Sequence, residues 1–188
     1  MPRKLANDVP PQALCVIELY GDSGTFLSRM NPSTQIIAAE NPEKAYKSEI
    51  SLTKVKLAFG MPFLKVWLMA QLENLNDFCG TKSKMTIDQM DELTGIIAVD
   101  YGYLRAAEIL LFFHRLKKGQ YGQFYGSVDP LMIASALFQH VKDRQIEISR
   151  IEAAENQKRL DNQRKEWKNN AISREEYENI KQSQVSLN

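Results

Sequence analysis

The chain has 188 residues, 44% hydrophobic and 25% charged, an ordinary composition for a globular protein able to bury a core. Its 24 Lys and Arg nearly cancel 23 Asp and Glu, so the net charge of +1 excludes attraction of phosphate by a global field; only a local patch could do it. Cys15 and Cys79 form no CxxC pair, and His114 and His140 are the only histidines, so neither a disulfide framework nor a zinc ligand set is expected.

Residues 1–50 form the least legible segment, read as irregular or as short helices. Met1–Asp8 carries basic residues without the apolar stretch of a signal peptide. Ala13–Tyr20 fits a short buried helix or a strand equally well, because a short apolar run has no diagnostic period. Gly21-Asp22-Ser23-Gly24 and Asn31-Pro32-Ser33-Thr34 are turn signals.

A helical core is expected over 51–144. Ser51 or Thr53 can cap a first helix through Phe59, and Gly60-Met61-Pro62 then breaks it, since proline lacks a donor and constrains its predecessor. Leu64, Trp67, Leu68, Leu72 and Leu75 mark a helix from Pro62 towards Asp77, with Gly80 as its stop. Thr86-Ile87-Asp88-Gln89 is a capping box. It opens a helix read as continuous to Lys117, with Gly95 and Gly102 inside it. Asp129 then caps a helix with Pro130 at its first position, and Leu131, Ala134, Leu137, Phe138 and Val141 form its expected apolar stripe.

Residues 145–188 are expected to form a charged helical extension. Over 145–168, rich in Gln, Glu, Asn, Lys and Arg, Ile148, Ile151 and Leu160 are sparsely spaced, so a coiled-coil register is only weakly written. Ser173-Arg174-Glu175-Glu176 is a second capping box, opening a short helix with Tyr177 and Ile180. The fold class is therefore all-α: a bundle of four to five helices with this extension. No apolar run reaches the roughly 20 residues of a membrane-spanning helix, and a cytoplasmic location is expected.

The junction 112–130 is the richest candidate for function. Arg115, Lys117 and Lys118 precede a loop in which Tyr121, Phe124 and Tyr125 alternate with Gly119, Gly122 and Gly126; Lys142 and Arg144 follow one helix later. Cations beside aromatic rings can meet phosphates while the rings stack on bases. The same rings can anchor a protein partner, or fold back and fix the angle between two helices. All three readings stand at this level. Glu108 is expected to pair with Arg105 or Arg115. Neither a nucleophile motif nor a phosphate-binding loop accompanies these residues, so no enzymatic activity and no cofactor is expected.

The pattern Glu108-x3-Phe112-Phe113-x-Arg115-x-Lys117-x-Gly119-x-Tyr121-Gly122-x-Phe124-Tyr125-Gly126-x-Val128-Asp129-Pro130 resembles an uncharacterised family of small helical proteins of phages and integrated mobile elements of gut bacteria. The likeness covers roughly 86–144. It implies an accessory protein and not an enzyme. With the junction residues, the expectation is binding of a partner protein, with nucleic acid as an open second ligand, the alternative being a structural or oligomeric helical protein with no nucleic-acid contact. A fainter similarity to phage replicative-helicase loaders implies a role in DNA replication. Lys165-Glu166-Trp167-Lys168, followed by Ile172-Ser173-Arg174-Glu175-Glu176-Tyr177, is similar to short C-terminal helical-hairpin interaction domains, with Asn170-Ala171 where those carry glycine. That similarity implies a partner-binding tail; separately, the helical extension over 145–168 leaves homo-oligomerisation through the C-terminal helix open.

Overall fold

The computed structural model describes residues 10–171 and Tyr177, so the expected capping box at Ser173–Glu176 and the helix it opens lie outside the described residues. The architecture is all-α. Its helices are α1 (Leu14–Tyr20), α2 (Ser23–Arg29), α3 (Gln35–Glu40), α4 (Pro42–Lys47), α5 (Leu52–Phe59), α6 (Met61–Cys79), α7 (Ile87–Asp100), α8 (Ala106–Lys117) and α9 (Pro130–Asn170). The chain divides into two compact units that part between Gln145 and Ile146.

In the first unit α8 is the central helix. Eight of its twelve residues are buried, and it packs against α3, α4 and α6. The ambiguous run after Ala13 is helical and supplies Ala13 and Val16 to the core. Phe26 on α2 gathers Tyr20, Phe59, Phe63 and Trp67 in edge-to-face contacts with centroids 4.8 to 5.9 Å apart, the arrangement aromatic quadrupoles favour. Trp67 donates its Nε1–H to the Met30 carbonyl at 2.6 Å, which ties α6 to the end of α2 without leaving a buried donor unmet.

Several local signals hold. Ser51 caps α5 by accepting from the Lys54 amide, and Gly60 separates α5 from α6. The Thr86–Gln89 capping box is complete in both directions. Buried Asn76 holds the following connector by bonding both the amide and the carbonyl of Met85 at 3.1 Å.

The helix expected to run unbroken to Lys117 is instead two helices, α7 and α8, separated at residues 101–105. The break is made by a distant segment. The amides of Leu52 and Thr53 donate to the carbonyls of Leu104 and Gly102, and the Ala106 amide donates to Ile50. Gly102 is required there because a Cβ would sit 2.7 Å from Thr53 Oγ1.

The apolar stripe of α9 is also shifted from the expected phase. Its buried residues are Ile133, Ala136, Leu137 and His140, whereas Leu131 and Phe138 face outward. Apolar residues lie on both sides of this helix, Ile133 and Ala136 inward and Leu131 and Phe138 outward, so the apolar pattern alone does not fix the phase, and a histidine takes the fourth core position.

The second unit is described through residues 146–170 of α9, Ala171 and Tyr177. None of its described residues is buried.

Candidate functional site: the junction between helices α8 and α9

The connector from α8 to α9 is a folded clasp. Gly119, Gly122 and Gly126 all have positive φ (81°, 108° and 76°), backbone conformations that side-chain-bearing residues adopt only with strain. These turns bring Val128 into the core, with its amide donating to Ser83 at 3.1 Å, and set Ser127 beside Ser83 in a parallel bridge. The Tyr121 ring stacks on Phe112 at 5.9 Å, and its hydroxyl lies 2.9 Å from His140 Nδ1 on α9. Phe124 is half-buried against the core. Asp129 accepts from the Leu131 amide at 2.8 Å, as expected of its capping position.

The five cations of the expected surface do not come together as a patch. Arg115 donates to the Tyr46 hydroxyl at 3.0 Å on α4. Lys117 reaches inward, donating to Gln35 Oε1 at 2.8 Å and to Asn74 Oδ1, with Nζ 5.5 Å from the centre of the Phe78 ring. Gln35 donates to Gln71 at 2.7 Å, and Gln71 in turn to the Met30 carbonyl, so Lys117 ends a buried polar chain from α8 through α3 and α6. Burial pushes the Lys117 ammonium below its usual pKa, with the nearby Cys79 acting weakly the other way. Arg144 is drawn to Glu108, expected to pair with Arg105 or Arg115: its Nε lies 2.5 Å from Glu108 Oε1, while Glu108 Oε2 accepts the Arg105 backbone amide at 2.6 Å. Desolvation still pushes the Glu108 carboxyl above its ordinary range, outweighing these bonds. Lys118 and Lys142 are exposed, and Lys142 lies over the Phe138 ring at 4.4 Å.

Beside exposed polar residues such as Lys118, Gln120, Gln123 and Asp129, the junction and the start of α9 present three large apolar side chains outward. Tyr125 is 84% exposed, Leu131 76% and Phe138 55%. Leu131 and Phe138 stand seven residues apart on one helical face, with Lys142 one turn further on. The sequence contained this signal as an i, i+7 pair, but the same pair also fits a buried stripe. On the inner side, Phe78 and Cys79 of α6 face Lys117, Gly119, Gly122 and Phe124 across a cleft of about 180 Å³. Among the described residues no cluster of His, Cys, Asp or Glu could hold a metal ion.

These features define a class, an all-α protein in which a glycine clasp leads into a helix that exposes Leu131 and Phe138, with Lys142 over the Phe138 ring. The chain belongs to a family of unknown function, DUF6633, whose model matches residues 84–186. That match takes in α7, α8, the clasp and α9. No curated protein and no solved structure matches the chain.

Proposed function

We propose that this protein is a non-enzymatic accessory protein that binds a partner protein through Tyr125, Leu131 and Phe138, with Lys142 at the edge of the contact. The observation that carries the reading is the division of labour in the junction. Arg115, Lys117 and Arg144 are engaged inside the unit, while three large apolar side chains beside them face solvent. Interface anchors are typically large side chains of this kind, with aromatic rings prominent. Nucleic-acid binding is the lesser reading, because two exposed lysines neutralise few phosphates and affinity scales with the number neutralised.

A cytoplasmic setting within a phage or mobile element, in DNA replication, belongs to the same proposal; its support is the residue pattern over 108–130 and the sparse cysteines. No helix among the described residues is long and apolar enough to cross a membrane. The test is fluorescence anisotropy of the protein with labelled single- and double-stranded DNA at about 50 and 200 mM salt. The reading predicts no binding at either salt. Binding that falls steeply with salt would transfer the site to nucleic acid.

A further inference from the structure

We propose that residues 146–170 of α9 pair antiparallel with the same segment of a second copy, about a twofold axis near Asn156 and Gln157. The inference does not depend on the contact face at Tyr125, Leu131 and Phe138.

Three observations carry it. First, this stretch of helix has no buried residue among those described. Ile148 and Ile151 are only partly covered, and a long helix of polar composition without a buried face among its described residues is marginal in water unless side-chain pairs or a partner support it. Second, Ile146, Ala153, Leu160 and Trp167 recur at intervals of seven and all are exposed, Trp167 at 73%. A seven-residue repeat keeps one line of a helix facing another helix; here one position of each heptad is apolar, and the positions three residues on are Ser149, Asn156 and Gln163.

Third, the charge is divided along the helix. Residues 146–156 carry Glu147, Glu152 and Glu155 against Arg150, a net of −2. Residues 157–168 carry Lys158, Arg159, Arg164, Lys165 and Lys168 against Asp161 and Glu166, a net of +3. A parallel pair would set like halves side by side. An antiparallel pair sets each acidic half against the basic half of its mate.

The seam has the same symmetry. Turning the helix about the point between Asn156 and Gln157 places Ile146 at the level of Trp167 and Ala153 at the level of Leu160. Each level then joins a smaller side chain to a larger one. Such a twofold contact uses one patch on both copies and closes on itself, giving a dimer and not a filament. The second copy is therefore the occupant this face fits best, since the segment complements its own reverse in both charge and side-chain size.

The test combines mass in solution with disulfide trapping on the full chain, in a Cys15→Ser, Cys79→Ser background. Light scattering should give twice the 21.5 kDa chain mass. Leu160→Asp with Trp167→Asp should return the mass to one chain without loss of the core's thermal transition, both positions being exposed. Asn156→Cys should trap a covalent dimer under mild oxidation. Ser149→Cys should not, because antiparallel pairing offsets the two copies of that residue by about 22 Å along the axis, 15 residues at 1.5 Å each.

A monomer at every concentration overturns the proposal. Trapping at both positions overturns the antiparallel orientation. A dimer that survives the double substitution, or that is lost when 172–188 are removed, places the contact elsewhere and overturns it too.

Discussion

Buried Glu108 on α8 holds the Nε of Arg144 on α9 at 2.5 Å, the ion pair that joins these two helices across the clasp. The two partners are not equivalent. Glu108 has no exposed surface, while the Arg144 side chain keeps 19% of its own. Removing one partner of a buried pair leaves the other charge uncompensated, and the cost falls on whichever is deeper. Arg144→Met should therefore destabilise by about 3 kcal/mol. Glu108→Gln, which keeps an acceptor for the Arg105 amide, should cost less. Urea midpoints of the two variants check the order.

The same carboxyl gives a pH dependence of defined sign. Its folded pKa is raised, so between the ordinary value near 4.5 and the raised one the folded state binds more protons than the unfolded state. Its contribution is greatest below pH 4.5 and is lost as pH rises through the folded pKa. Wild type should therefore lose stability relative to Glu108→Gln between pH 4 and pH 7. The Arg144→Met defect should shrink at pH 4, where Glu108 is protonated. A wild type that gained on Glu108→Gln over that range would reverse the sign.

Lys117 and Lys118 are adjacent in sequence and opposite in role. Lys117→Ala leaves the oxygen of buried Gln35 and that of half-buried Asn74 without their donor, a loss of about 1–3 kcal/mol that falls mainly on Gln35. Lys118→Ala, at an exposed position, should stay within about 0.5 kcal/mol. Thermal unfolding of the two single variants distinguishes a helix clasp from a surface patch, since a patch would tolerate both.

Gly102 and Gly95 should respond to alanine in opposite directions. At Gly102 the new Cβ meets Thr53 Oγ1 at 2.7 Å and the Ala98 carbonyl at 3.2 Å, so the α7–α8 break must shift, at about 1–3 kcal/mol. At Gly95, inside α7, a Cβ meets nothing within 4 Å, and alanine should stabilise by up to about 1 kcal/mol. Paired denaturant melts decide it.

What the sequence made legible follows from where the causes lie. Ser51, Thr86 with Gln89, and Asp129-Pro130 signal helix starts through bonds made within three residues, and each stands where its spacing put it. The α7–α8 break depends on Ile50–Thr53, some fifty residues away; its local traces, Gly102 and the Glu108 carboxylate on the Arg105 amide, also fit a continuous helix when read from sequence. The fate of the junction cations was hidden for the same reason. Lys117 finds Gln35 at a separation of 82 residues and Arg115 finds Tyr46 at 69, so a run that reads as a basic patch is used up by partners from the least legible segment. Tyr121 and Tyr125 are chemically alike, yet one stacks on Phe112 and the other faces solvent, because the turns at Gly119 and Gly122 aim them differently.

The proposed partner contact at Tyr125, Leu131 and Phe138 is tested most directly by photo-crosslinking in the organism that encodes the chain, with benzoylphenylalanine in place of Phe138. That position is exposed, so the substitution leaves the core intact. The account predicts one dominant protein adduct, insensitive to nuclease and lost when Tyr125 and Leu131 are changed to serine. Adducts to nucleic acid alone, or a protein adduct unaffected by those two changes, would contradict it.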